Sequence, residues 1–152
     1  MARAPFQVTV FPYFINPDGR IEYVIFFRLT ERYGDFWQAI AGGGEDDEKP
    51  IEAARREANE EGGLDPDLDF YQLGSMAMLP ADNAAGYMMW GDEILVVPEY
   101  AFAVQVDSKD IQLSPEHVEY RWVDYDAAQD LLKWDSNRNA LWELNYRLTK
   151  LK

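Results

Sequence analysis

The stretch GGGEDDEKPIEAARREANEEGGL, Gly42–Leu64, decides how this chain is read. Pro50 suits the first turn of a helix and Gly62-Gly63 suit its end, so the spacing predicts a helix from Ile51 to Glu61. At about 100° per residue, Ile51, Ala54 and Ala58 form an apolar stripe. Glu57, Glu60 and Glu61 gather on the flank of that stripe, with Glu61 nearest the apolar side and expected to be partly shielded from water. Neighbours at i,i+3 and i,i+4 sit only about 5–6 Å apart at Cβ, so the three carboxylates repel one another. They also crowd a helix C-terminus, where the macrodipole disfavours negative charge. A solvated helix with Glu52–Arg56 and Arg56–Glu60 pairs is one reading of this pattern. The other is a site that a hard divalent cation fills, Mg²⁺ or Mn²⁺ given all-oxygen ligands. Gly42 to Gly44 fit either reading, as a tight turn or as backbone that lets a ligand approach.

The whole chain narrows the field. Its 152 residues, 47% hydrophobic and 14% aromatic, suit a single folded domain over 1–152 with a sizeable core. Acidic residues outnumber basic ones 28 to 14, a net charge of −14. Residues 45–61 hold eight acids and three bases, a net of −5, which leaves −9 elsewhere. Such a balance argues against long nucleic acids, whose phosphates call for basic clusters, but a cation-mediated small anionic substrate remains compatible. No apolar run is long enough to span a membrane, and MARAPFQVTVF lacks the apolar region of a secretory signal. With no cysteine there is no disulfide framework and no thiolate metal site. A cytoplasmic protein is expected.

Outward from the helix, Gln7–Ile15 and Ile21–Leu29 are β-branched and aromatic, and Asn16-Pro17-Asp18-Gly19 between them predicts a hairpin. FWQAIAGGG predicts a short strand running into the glycines. Further strands are expected near Leu68–Leu79, Ile94–Val106 and Tyr120–Val123, with a long loop from Pro80 to Gly91. Two helices, near Asp126–Lys133 and Ser136–Leu148, end the sequence. This order predicts an α/β (α+β) fold, a mixed sheet between helices.

The spacing then becomes specific. Gly42, five residues, Glu48, seven residues, and Arg56-Glu57-Ala58-Asn59-Glu60-Glu61-Gly62-Gly63-Leu64 resembles the Nudix box, G-x5-E-x7-R-E-U-x-E-E-x-G-U with U a bulky aliphatic. Ala58 is small for the first U, and Lys49 stands where a Ser or Thr helix cap is usual. The resemblance implies an αβα sandwich and metal-dependent hydrolysis of a nucleoside diphosphate linked to another group. It implies that Glu57, Glu60 and Glu61 hold metal, that Arg56 orients a glutamate, and that Glu48 supports the loop. A backbone carbonyl near Ala41-Gly42 is a further implied ligand. DFWQ (Asp35–Gln38), EHVEYRW (Glu116–Trp122) and Ser136-Asn137-Arg138 resemble the dihydroneopterin triphosphate or dATP pyrophosphohydrolase branch. That branch implies Glu116 as an extra ligand or general base; Trp134 lies one position away from the branch's aromatic.

The expected activity is Mg²⁺-dependent conversion of a nucleoside or pterin triphosphate to a monophosphate and pyrophosphate. Two rival readings stand beside it: an ADP-ribose or related hydrolase, suggested by Pro80 sixteen residues after Leu64, and an inactive nucleotide-binding domain. Many Nudix proteins dimerise, which leaves a homodimer open. Arg28 is a candidate for substrate phosphate, and Phe36 and Trp37 for stacking on a flat ring, with at least one of the two expected in the core. Glu93 and Glu99 rank below Glu116 as bases. His117, the only histidine, is expected in a loop or structural role. Met76, Met78, Met88 and Met89 are expected in the core or in the loop beside the pocket.

Overall fold

The computed structural model describes residues 2–84 and 87–151. Ala85 and Gly86, within the expected Pro80–Gly91 loop, lie outside the described residues. The predicted hairpin is present as β1 (Arg3–Ile15) and β2 (Ile21–Thr30). FWQAIAGGG divides into β3 (Gly34–Gln38) and β4 (Ile40–Glu45), with Ala39 the bend between them. Then follow α1 (Pro50–Gly62), β5 (Phe70–Pro80), β6 (Val96–Gln105), β7 (Glu119–Val123), α2 (Tyr125–Leu131) and α3 (Asp135–Lys150). Two single 3₁₀ turns, Ala81–Asn83 and Tyr87–Met89, occupy the described part of the loop.

The seven strands form one mixed sheet, and its register explains the position of the site. β1 runs antiparallel to β2 only at Tyr13–Ile15, then pairs through Gln7–Val10 with β4 on the same edge. β2 pairs from Ile21 to Tyr23 with β1 and from Phe26 to Thr30 with β3, while β7 holds its other edge. The sheet therefore forks, and the β3–Ala39–β4 segment lines the gap. β6 lies parallel to β1 on the far side, and β5 closes that end of the sheet.

Alternation along the strands supplies two cores. Val8, Val10, Val24, Phe26, Phe102 and Val104 face α1, meeting Ala53, Ala54 and Ala58. Phe11, Tyr13, Tyr23, Ile25, Trp37 and Ala103 face α2 and α3, meeting Ala128, Leu132, Leu141 and Leu144. The result is the αβα sandwich expected from sequence. Among the described residues no helix is long and apolar enough to cross a membrane.

Two expectations change. Met76, Met78, Met88 and Met89 are exposed, so none of them builds the core. Met76 and Met78 lie on the α1 side of β5, at an end of the sheet that α1 does not cover. The buried face of α1 is also rotated from the predicted stripe: Ala53, Ala54, Glu57, Ala58 and Glu61 go inward, while Ile51 is only partly covered. Three alanines let the helix approach the sheet closely, and that approach carries the flanking glutamates inside.

A β-bulge in β5, between Gln72 and Met76, is held from α3. Glu143 accepts hydrogen bonds from Gly74 N at 2.7 Å, Ser75 N at 2.6 Å and Ser75 Oγ at 2.6 Å, and pairs with Arg147 at 2.8 Å. Burial pushes the Glu143 carboxyl up, but these donors outweigh it and hold its pKa below the ordinary carboxylate range. A depressed native pKa contributes stability that is present above the unfolded-state pKa and is lost as pH falls through the native value. Glu143→Gln is thus expected to destabilise the protein at neutral pH in urea denaturation. The difference from wild type should shrink towards zero as the pH falls through and below the depressed native pKa; a pH-independent difference would contradict this role.

Candidate functional site: paired buried carboxylates at the sheet fork

α1 starts with no side-chain acceptor at its N-cap, since Lys49 has none to offer. Glu52 instead accepts from Lys49 N at 2.7 Å, half of a capping box, and Pro50 fits the first turn. At the other end Gly63 adopts φ 71°, and its N–H donates to Asn59 O at 2.9 Å, while Leu64 N–H donates to Ala58 O at 3.2 Å. The turn is glycine-specific because that φ disfavours a Cβ.

Arg56 is the hub of the helix's polar side. Its guanidinium donates to Glu48 through Nε at 2.8 Å and Nη2 at 3.0 Å. It also donates to Gly43 O at 2.8 Å, Glu57 Oε1 at 2.9 Å and Glu60 Oε2 at 3.2 Å. One cation thus ties the β4 backbone, the loop before the helix and two helix carboxylates together. Burial alone would lower the pKa of Arg56, but the Glu48 and Glu57 partners outweigh it and hold the guanidinium firmly charged. Burial likewise opposes Glu48, and Arg56 with the Glu45 N–H bond brings its carboxyl below the usual range.

Glu57 and Glu61, one turn apart, are 7% and 2% exposed. The Glu57 carboxyl lies on the Gly42 backbone: a Cβ there would come within 2.2 Å of its Cδ. Only glycine tolerates that approach. Both oxygens of Glu61 are buried without a hydrogen-bond partner, which is costly for any carboxylate. Burial pushes Glu61 up to about 10, reinforced by Glu57 and the charge of Glu116 and opposed by Arg28. Burial also raises Glu57, with Glu60 adding to it and Arg56 opposing. The side chain of His117, from the loop before β7, is fully buried with Nδ1 3.5 Å from Glu61 Oε1. Its ring stands 5.2 Å from that of Phe26, and burial, then the charge of Arg28, lowers its pKa to about 4.

The other expected residues divide between the two faces of the sheet. Arg28 pairs with Phe36 across β2–β3, and both lie on the α1 side, with Arg28 near enough to act electrostatically on Glu61 and His117. Phe36 is buried edge-on to Trp134, 5.2 Å between rings, under Lys133. Trp37 is on the opposite face, in the α3-side core against Phe27, with the Arg121 guanidinium 4.7 Å over its ring. It cannot stack on a ligand at the carboxylates, because strand alternation turns neighbouring residues to opposite faces. Glu116 is exposed beside His117. Glu60 keeps a half-exposed side chain committed to Arg56. Among the described residues no three acidic or imidazole side chains are gathered to hold a metal ion. Glu57 and Glu61 are the two carboxyls that are buried together.

Glu99 lies across the sheet beside Ser136, its pKa raised by burial, and Glu93 is exposed in the loop before β6. Sequence reasoning gave no role to Gln38 or Asn137. The amide of Gln38 lies 3.1 Å from His117 Nε2, and Asn137 Oδ1 accepts from Ala39 N at 3.0 Å, pinning the β3–β4 bend. Their positions within DFWQ and Ser136-Asn137-Arg138 were the available signal. Two surface grooves, one between β5 and α3 around Ser75 and Trp142, the other beside Ile21, Val123 and Asn145, lie away from the carboxylates.

The model of the NUDIX domain matches residues 5–143. This chain belongs to the Nudix hydrolase family. A Nudix hydrolase structure from Listeria monocytogenes is 41% identical, covers 97% of each chain and superposes with a TM-score of 0.84. Among curated relatives, an octanoyltransferase of Myxococcus xanthus is 33% identical over 83% of this chain. The match spans only 32% of that protein's length. The dihydroneopterin triphosphate diphosphatase of Haemophilus influenzae is 26% identical over 76% of this Nudix chain and 75% of its own. Members of the family generally use divalent metals.

Removing the hub leaves Glu48, Glu57 and the Gly43 carbonyl facing one another without their cation. Arg56→Ala is therefore expected to lower stability by about 3 kcal/mol, the usual scale for breaking a largely buried pair from one side. Chemical denaturation at neutral pH checks this, and a loss under about 0.5 kcal/mol would mean that the network is only surface decoration.

Proposed function

We propose that this single Nudix domain is a Mg²⁺-dependent pyrophosphohydrolase (Mn²⁺ also serving) that cleaves a nucleoside or pterin triphosphate to a monophosphate and pyrophosphate. The observation that carries the proposal is the buried Glu57–Glu61 pair, with Glu57 on the glycine-cleared surface and both oxygens of Glu61 without a partner. That donor set fits a hard divalent cation: the donors are carboxyl oxygens, those of Glu61 hold no competing hydrogen bond, none is sulfur, and a cation supplies the charge that lets buried carboxyls ionise. Glu57 and Glu61 would hold it, with Glu60 and Glu116 as the additional carboxylates. Bound there, the cation supplies positive charge against the pyrophosphate oxygens and activates water.

The chain's own residues do the rest. Arg56 fixes the orientation of Glu57 and Glu60. Arg28, on the same face, binds phosphate through its guanidinium. Glu116, open to water, accepts the proton of the water that attacks phosphorus in line, and the pyrophosphate departs opposite. Phe36 shapes the substrate end of this face, whereas Trp37 acts from the core behind it. The dihydroneopterin triphosphate diphosphatase similarity, over three quarters of both chains, supports a triphosphate substrate.

Three measurements test this reading. Mg²⁺ should raise the melting temperature of wild type, and Gly42→Ala, whose methyl displaces Glu57, should abolish that rise while still unfolding cooperatively. Glu60→Gln should lower kcat by at least about 100-fold with the fold unchanged by circular dichroism; near-normal turnover would remove the mechanism. In a panel of triphosphates, ADP-ribose and dinucleoside polyphosphates assayed with Mg²⁺, a triphosphate should give the highest kcat/KM. Preferential release of AMP from ADP-ribose would overturn the substrate assignment, and inactivity on the whole panel would favour a binding domain.

A further inference from the structure

His117 has no part in the chemistry above, yet it is the most completely buried polar side chain beside the carboxylates. Its Nε2 lies 3.1 Å from the side-chain nitrogen of Gln38. With the amide nitrogen facing the ring it donates, Nε2 presents its lone pair, and a neutral imidazole carries its proton on Nδ1. That nitrogen is 3.5 Å from Glu61 Oε1, a long approach rather than a formed hydrogen bond, and both atoms are buried with no hydrogen-bond partner, so each is the nearest available to the other. The reverse arrangement would turn the Gln38 oxygen towards an Nε2–H. It would leave a bare Nδ1 lone pair against a carboxylate oxygen, two acceptors in contact, whenever Glu61 is ionised.

We infer that His117 is a positioning residue: Gln38 sets its Nδ1–H tautomer, and Nδ1–H holds Oε1 of Glu61, leaving Oε2 for a divalent cation. The role rests on the cation reading given above. A carboxylate held at one oxygen has less rotational freedom to lose when the other binds, and partners that orient ligands in this way are worth about 10–100-fold in metal affinity. The Phe26 ring and the sheet fork fix the imidazole, so the chain Gln38–His117–Glu61 connects β3 to α1 through a loop that belongs to neither.

Because His117 is the only histidine, its ring gives one unambiguous set of signals. Long-range ¹H–¹⁵N correlation spectra of the full ¹⁵N-labelled chain saturated with Mg²⁺, where Glu61 is ionised, should show the proton on Nδ1. Mn²⁺ titration by calorimetry should give an affinity about 10–100-fold weaker for His117→Phe. His117→Asn, whose amide can donate from near the Nδ1 position, should recover part of the loss; a merely space-filling role would leave it no better than Phe. An Nε2–H ring in the wild type, or a His117→Phe affinity equal to wild type, overturns the inference. If His117→Phe does not fold, the wild-type tautomer decides. Failure of the wild type to bind Mn²⁺ would instead overturn the cation reading, and this role with it.

Discussion

The constraint on which the structure turns is the placing of two carboxylates, one helical turn apart, against a strand. Glu57 and Glu61 face inward because Ala53, Ala54 and Ala58 allow α1 to lie close to the sheet, and because Gly42 has no side chain to oppose Glu57. Hydrophobic burial of the alanine face and of Val8, Val10, Phe26 and Phe102 drives the helix down. The same motion desolvates the glutamates. Local electrostatics and global packing thus conflict at one place, and such conflicts are retained where a site needs them.

Arg56 is what makes the conflict tolerable. It is the only cation in contact with this acidic group in the described residues, and it faces Glu48, Glu57, Glu60 and the Gly43 carbonyl together. A lysine would offer a point charge to one or two of these partners, whereas the planar fork reaches loop, strand and helix in one geometry. Glu61 lies beyond its reach, which is why the residual polar deficit concentrates there and at His117. The fork in the sheet completes the site, since β3 and β4 diverge around the point where these side chains meet.

Much of this was legible in the sequence because it depends on local rules. The Asn16–Gly19 turn, the Pro50 and Gly63 helix ends and the alternation of β1 and β2 follow from single-residue preferences. The box spacing singled out Glu57, Glu60, Glu61 and Arg56 without any coordinates. Other features depend on tertiary placement. Helical periodicity put the glutamates on the flank of the apolar stripe, but only docking on the glycine strand rotated them inward. Trp37 and Phe36 are adjacent in sequence and equally aromatic; which of them shares a face with Arg28 is a question of strand register. Met76 and Met78, expected in the core or the loop beside the pocket, are exposed on β5, where the sheet extends past its covering helix. Gln38 and Asn137 had no visible role because each acts on a partner 79 or 98 residues away.

The bulge in β5 bears on more than the stability of one strand. β5 ends the sheet, and an end strand with regularly spaced free N–H groups is a template on which another chain can add a strand. Here the bulge breaks the regular spacing, and Glu143 takes the Gly74 and Ser75 amides for itself. Beyond it only the short run Met76–Leu79 remains before Pro80, which has no N–H to offer. A carboxylate on α3 therefore takes up two N–H groups that this end strand would otherwise offer to an added strand, at the end of the sheet away from the fork.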